Sequence, residues 1–139
     1  MTSNSEKNKA TIADTFEAWK EGRGSIVDLL APDLRWEIVG ESAAAGTYTR
    51  DGFVDGVLAS IGRRFSKHGF VKPTDIRLIL ADDDWVVTLY EARGITNADT
   101  VYDNTYAWFM RMREGQIVEA VAFYDSIAFD RMWAVPASA

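Results

Sequence analysis

Four hydrogen-bonding side chains, Tyr102, Asn104, Tyr106 and Trp108, occupy alternate positions of the stretch YDNTYAW, so an extended chain carries all four on one face. A dry β core is more often filled with Val, Ile and Leu. A phenol and an amide in such a row can donate hydrogen bonds to a ligand carbonyl, or to the enolate that develops from it. That interaction is worth about 2.7–4 kcal/mol per donor in a transition state. Tyr106 is the candidate donor and Asn104 its assistant, with Trp36 and Tyr124 adding aromatic surface. A proton transfer also needs a base. Asp125, one residue beyond Tyr124, is the first candidate; Glu37 and Glu41 follow, then Glu91 and His68.

A bland alternative exists for each of these. Asp125 can equally cap or anchor the chain after the last strand, and a Tyr and Trp row can equally be core with its polar tips tied to backbone. Leaving a buried phenol or amide unpartnered costs about 1–3 kcal/mol. The row must therefore meet water, protein groups or a ligand, and an apolar wall with a few polar tips is the make-up of a small-molecule pocket. Met110 and Met112 continue the same face as flexible core plugs.

Composition narrows the chemistry further. The 139 residues fit one domain, with a polar tail over about 1–5 and an extension over about 128–139. With 47% apolar and 26% charged residues the chain has ordinary globular usage, so a folded protein is expected. The formal net charge of −6 argues against nucleic acid, whose binding rests on Lys and Arg. No apolar run has the length of a membrane span and MTSNSEKNKA has no apolar signal core, so no membrane partner and a cytoplasmic location are expected. The absence of cysteine removes disulfides and thiolate nucleophiles, and a single histidine leaves no histidine-rich metal centre or self-contained Ser/His/Asp triad. No metal is expected. Without a GxGxxG or GxxxxGK[ST] motif, no cofactor is expected either. The basic run RRFSKHG, which includes His68, suits a helix C-terminus without a phosphate.

The elements that must position these residues follow from periodicity. Ile12, Phe16 and Trp19 recur at helical spacing before Gly22, predicting an amphipathic helix over about Ser5 to Glu21. Ser25 and Asp28 resemble a capping box for a short helix ended by Pro32. In DLRWEIVG, Leu34, Trp36 and Ile38 alternate with Arg35 and Glu37 as in a half-buried strand, and ESAAAGTYT reads as a loop or short edge strand. Phe53, Val57, Ile61 and Phe65 mark a third helix that Gly52, Gly56 and Gly62 weaken. Strands follow over about Phe70 to Ala81 and Trp85 to Thr96, with Asp82 to Asp84 as a turn, and then a hairpin to Asp125. Helices first and a long antiparallel meander second predict an α+β fold.

Two hairpin registers fit the turn REGQ. A three-residue loop with a glycine bulge pairs Met112 with Gln116, and sets Tyr106 opposite Ala122 and Asn104 opposite Tyr124. A two-residue Glu114-Gly115 loop pairs Arg113 with Gln116 and sets Tyr106 opposite Phe123. The bulged loop is the preferred expectation, because Glu-Gly lacks the first-position Asn, Asp or Gly of tight hairpins.

The stretches DLRWEIVG, GTYTRDGF and YDNTYAWFMRMREGQIVEAVAFYD resemble the nuclear transport factor 2-like superfamily, most closely its SnoaL-like and ketosteroid isomerase-like branch. The resemblance runs from the first helix through Asp125. It implies a cone-shaped, strongly curved antiparallel sheet packed against three helices of the N-terminal half, an internal apolar pocket and a homodimer formed through the sheet face. The base of the family's steroid isomerases aligns with Ile38, or with Glu37 if Gly40 is aligned, and its oxyanion donors align near Phe16 and at Trp108. The water-activating set of its epoxide hydrolases aligns with Tyr90, Ala92 and Ala122, and the cyclase aspartate also aligns with Ala122. The resemblance thus implies a pocket lined by Trp36, Ile38, Tyr90, Asn104, Trp108, Ala122 and Tyr124, with Tyr106 and Asp125 as candidate catalytic groups. The expected ligand is a small, largely apolar cyclic molecule. The expected reaction is cofactor-independent proton transfer beside a carbonyl, of isomerase, cyclase or dehydratase type. The alternatives are a non-catalytic binder of such a ligand and a protein-interaction module with a vestigial cavity.

Overall fold

The Ser3 hydroxyl accepts the Glu6 amide at 3.2 Å, satisfying one free N–H at the start of α1 (Asn4–Lys20). The structure is a computed structural model that describes residues 3–138, so the polar tail expected over residues 1–5 lies partly outside the described residues. Ile12 and Phe16 are the fully buried positions of α1, as their spacing predicts. A single 3-10 turn, Ile26–Leu29, is capped by Ser25. It ends earlier than expected, and Pro32 lies within β1 (Leu30–Ile38) instead. The edge strand β2 is Gly46–Thr49.

The third predicted helix is wound differently from the expectation. Gly52–Leu58 forms a π-helix, and ordinary α winding resumes over Ala59–Gly62 (α2). Gly52 and Gly56 weaken the α form, while the wider turns bring Phe53 face to face with Trp36, ring centroids 4.2 Å apart and planes 14° from parallel. Tertiary stacking here overrides the local winding.

The remaining strands are β3 (Lys72–Asp82), β4 (Trp85–Ile95), β5 (Val101–Arg113) and β6 (Gln116–Tyr124). They form one six-stranded sheet in the order β2-β1-β6-β5-β4-β3, open at its β2 and β3 edges. Every pairing is antiparallel except β1 with β6, so the curved antiparallel sheet expected from the sequence includes one parallel pair. The long connection from β2 to β3 leaves one edge of β1 free. Pairing that edge with β6 aligns Trp36 with Ala120 and Ile38 with Ala122 over a common core. Bulges in β3, in the β5–β6 pair and between β1 and β6 bend the strands, curling the sheet into a cone around α1.

The hairpin keeps neither expected register along its length. Its tip is the two-residue loop Glu114-Gly115, both residues at positive φ (50° and 78°), with Arg113 opposite Gln116 and Met112 opposite Ile117. A bulge then shifts the pairing, so that Arg111 faces Glu119, Trp108 faces Ala122 and Tyr106 faces Tyr124. The shift has a packing cause: Ile117 and Val118 can both be buried, and Ala120, Ala122 and Tyr124 return to the inner face. Beyond β6 the segment read as an extension is mostly helical. It forms α3 (Ser126–Trp133), whose Phe129 and Met132 are buried in the core.

Glu114 bears the αL strain at the tip without a glycine's freedom. Glu114→Asn is expected to stabilise the protein by roughly 0.5–1 kcal/mol, because Asn-Gly is the favoured pair for this turn. Thermal and urea unfolding of the two proteins checks it, and an unchanged or lower midpoint contradicts the strain.

Candidate functional site

Alternation along β4 and β5 sends Thr88, Tyr90 and Ala92, then Tyr102, Asn104, Tyr106 and Trp108, to the concave side of the sheet. Trp108 is the hub of this wall. Its ring lies 5.0 Å from Trp36, 5.2 Å from Tyr90, 5.7 Å from Phe16, 6.0 Å from Trp19 and 6.3 Å from Tyr106. Tyr90 and Tyr106, directly paired across β4 and β5, stack at 5.0 Å with planes 7° apart. The structure therefore brings together Trp36, Ile38, Tyr90, Asn104, Trp108 and Ala122 as buried neighbours, with Tyr106 and Tyr124 partly exposed at the rim. These rings interlock with one another, and open clefts of about 400–780 Å³ lie at the rims of the cone.

At one end of the wall the aromatic row becomes a polar chain. The Asn104 amide donates to the Tyr102 hydroxyl at 2.8 Å and to the Asp125 carbonyl at 3.1 Å. Its oxygen accepts the Asp125 amide at 3.1 Å and the Thr105 amide at 2.8 Å. The side chain thus closes the hairpin where backbone pairing stops, and it orients Tyr102. The Tyr102 and Tyr106 hydroxyls then share a short hydrogen bond in which either can donate. On the other flank the Tyr124 hydroxyl pairs with Ser42 Oγ at 2.7 Å. The Tyr90 hydroxyl and Thr88 Oγ1 are fully buried with no hydrogen-bond partner.

The site is electrically neutral in its interior. Burial pushes the Tyr102 and Tyr124 phenols up to about 12, against pull from their hydrogen bonds to Tyr106 and Asn104 and to Ser42 respectively. Burial raises Tyr90 and Tyr106 well above the usual phenol range as well, reinforced by the neighbouring phenols. All four stay protonated at neutral pH and keep a proton to donate. The expected bases sit outside this neutral wall. Asp125 is exposed, and its carboxylate accepts the Ile127 amide at 2.9 Å and the Ala128 amide at 3.4 Å as the N-cap of α3. Glu91 lines an outer cleft with Asp103 and Asp125, and His68 lines another with Trp19.

Sequence reasoning left several participants aside. Tyr102 stood in the row Tyr102, Asn104, Tyr106 and Trp108 but was given no role of its own. Ser42, Thr88 and the closing helix α3 had no signal of comparable clarity. α3 stacks Phe129 on Tyr124 at 4.5 Å and is held by distant segments. Asp130 accepts the Ala43 amide at 2.8 Å, and the Arg64 guanidinium lies 4.2 Å over the Trp133 ring while its Nε donates to the Trp133 carbonyl at 2.7 Å.

Phenols with raised pKa values stabilise the fold fully below their unfolded value of about 10, and that contribution is lost as pH rises through their folded values. Stability is therefore expected to fall steeply between pH 10 and about 12. Absorbance of tyrosinate should lag that of an unfolded control over the same range. Coincident titration of the folded and unfolded chains would contradict the buried phenol network.

Comparison with known proteins agrees with this architecture. The SnoaL-like domain family matches residues 12–120. No curated protein sequence matches the chain. Among solved structures, a candidate polyketide cyclase from Xanthomonas campestris pv. campestris superposes with a TM-score of 0.73 at 17% identity, covering 95% of this chain and all of that one. IdmH, a candidate polyketide cyclase from Streptomyces antibioticus, gives 0.68 at 23% identity over 93% of this chain and 99% of its own. An NTF2-like protein from Burkholderia xenovorans gives 0.67 at 18% identity over 92% and 96%. At such identities these structures show a shared NTF2-like fold, and the family match over residues 12–120 shows that the chain belongs to the SnoaL-like domain family.

Proposed function

We propose that this protein binds a small, largely apolar cyclic carbonyl compound against the aromatic wall of the cone and acts on it by cofactor-independent proton transfer. The observation that carries the reading is the polar chain Asn104–Tyr102–Tyr106 at the end of an otherwise apolar wall, beside the unpartnered Tyr90 hydroxyl. When Tyr102 donates to Tyr106, the Tyr106 proton is left for a ligand oxygen. Tyr90 offers a second donor whose burial otherwise costs about 1–3 kcal/mol. A ligand carbonyl accepting both hydrogen bonds would satisfy the buried donor and develop enolate character at its oxygen. The α-carbon proton would go to a base, for which Asp125 is the first candidate. The SnoaL-like membership and the cyclase-like structural neighbours support an isomerase, cyclase or dehydratase type of reaction.

A second reading, a non-catalytic binder of the same ligand class, is favoured by the use of the Asp125 carboxylate as a helix cap. Tryptophan fluorescence titrated with cyclic ketones and aromatic polyketides, followed by turnover assays on whatever binds, separates the two. Tyr106→Phe should weaken binding roughly threefold to tenfold through the lost hydrogen bond. If the protein is an enzyme, that variant should also lower kcat by about 100- to 1,000-fold. Asp125→Asn preserves a good N-cap, so a loss of turnover at unchanged thermal midpoint would identify the base. Saturable binding with no turnover in any variant would favour the binder, and no binding at all would contradict both.

We further propose that the protein is a homodimer through the convex sheet face. Leu78, Leu89, Ala107 and Phe123 line up across four strands, as do Leu80, Val87, Phe109 and Val121, and Leu80 and Phe123 are 53% and 45% exposed. An exposed apolar stripe of this extent marks an interaction surface. Sedimentation equilibrium should give twice the 15.5 kDa chain mass, and Phe109→Asp should give the monomer. A monomeric parent protein would contradict the assembly.

A further inference from the structure

We propose that the cleft between the end of α1 and the start of β3 holds the anionic group of a cyclic organic ligand, a carboxylate or a phosphate, with the ligand body against Trp19. The cleft encloses about 400 Å³ and is lined by Trp19, Lys67, His68, Phe70 and Lys72 beside the turn that follows α1. An adjoining cleft of about 470 Å³ shares His68, Phe70 and Lys72 and adds Lys20 and Arg93. Positive groups from α1, the loop after α2, β3 and β4 thus converge on one rim of a chain whose formal net charge is −6.

This rim is under-neutralised. Among the described residues Lys20, Lys67 and Lys72 have no carboxylate within 4.0 Å, and Arg93 has only the exposed Asp103 at 3.7 Å. Lys72 and Arg93 are direct cross-strand partners, and like charges set opposite each other destabilise a sheet. The C-terminus of α1 accounts for Lys20 and for Lys72, whose ammonium lies close to Gly22. It does not account for Arg93, nor for Lys67 and His68, which lie in the loop beyond α2 and not at the helix C-terminus expected for them. A bound anion would relieve the mutual repulsion of the Lys67, Lys72 and Arg93 charges.

The apolar part of the ligand is identified by what lies beneath the charges. Phe70 is 47% exposed at the rim. Trp19 is half-buried at the cleft floor, its indole N–H held by the Val71 carbonyl at 3.3 Å. Its other face stacks on Trp108 at 6.0 Å and 19°, and its edge meets Tyr90 at 5.9 Å. The cleft therefore leads through one indole to the wall described above, and the proposal rests on the reading of that wall only for the placement of the ligand body.

Two dyes of similar shape test it, anilinonaphthalene sulfonate and the uncharged phenylnaphthylamine, titrated into the intact protein. The parent is expected to bind the sulfonate about tenfold more tightly, and Lys67→Gln with Lys72→Gln should weaken it by roughly three- to tenfold while leaving the neutral dye unchanged. Lys9→Gln, the loss of one charge elsewhere on α1, should have no effect, and Lys72→Arg at a matched thermal midpoint should retain binding. Displacement of the sulfonate by benzoate or by phenyl phosphate then identifies the headgroup, and resistance to both overturns the proposal. Equal affinity for the two dyes, or an equal effect of Lys9→Gln, also overturns it, while neutral-dye and ketone binding would leave the interior reading standing. Sulfonate binding that depends on Lys67 and Lys72, in a protein that takes up no neutral dye or ketone, would establish the anion site and remove the interior reading.

Discussion

The packing of Trp108 is the interaction on which the rest of this structure depends. It projects from β5, and its ring touches Phe16 and Trp19 of α1, Trp36 of β1 and Tyr90 of β4. One buried indole thus ties the helix to three strands that are far apart in sequence. A large aromatic ring suits this position because it buries a large area and meets several neighbours edge-on at favourable geometry. The surrounding Tyr90 and Tyr106 rings gain their orientation from it, and with them the hydroxyls that form the polar end of the wall.

That arrangement requires the last two strands to keep their large inner residues on one side, which a uniform hairpin would not achieve. The tight Glu114-Gly115 tip alone would set Phe123 directly across from Tyr106 on the inner face and turn Ala122 and Tyr124 outward. The bulge beyond Ile117 restores Ala122 and Tyr124 to the inner side, where Tyr124 meets Tyr106 at 5.6 Å. Small side chains at Ala120 and Ala122 leave room for Trp36 and Trp108, their cross-strand partners on the same face. Beyond Tyr124 the Asn104 amide holds the Asp125 backbone in place of the missing ladder and leads directly into the cap of α3.

The chemistry divides by location. The interior holds aromatic rings and neutral phenols that burial keeps protonated, an environment suited to donating hydrogen bonds and unsuited to stabilising an unpaired carboxylate. The charged groups lie at the rims: Asp125 on the α3 side and the Lys67, His68 and Lys72 cluster on the α1 side. A ligand with an apolar ring, a carbonyl and an acidic group would match all three zones.

The sequence alone determined the order of elements as far as the final hairpin, the α+β class and the inward face of the row Tyr102, Asn104, Tyr106 and Trp108. These follow from local periodicity, because each residue's face on a strand or helix is set by its spacing. The SnoaL-like resemblance was likewise legible in DLRWEIVG and the final hairpin. Tertiary structure decided the π winding that brings Phe53 onto Trp36, the parallel pairing of β1 with β6, the bulge and α3. It also gathered the basic rim from Lys20, Lys67, Lys72 and Arg93, which no local pattern joins. The physical reason is common to all of these. Each trades a local preference for a contact with a residue distant in the chain, and a one-residue change in register reverses which side chains meet.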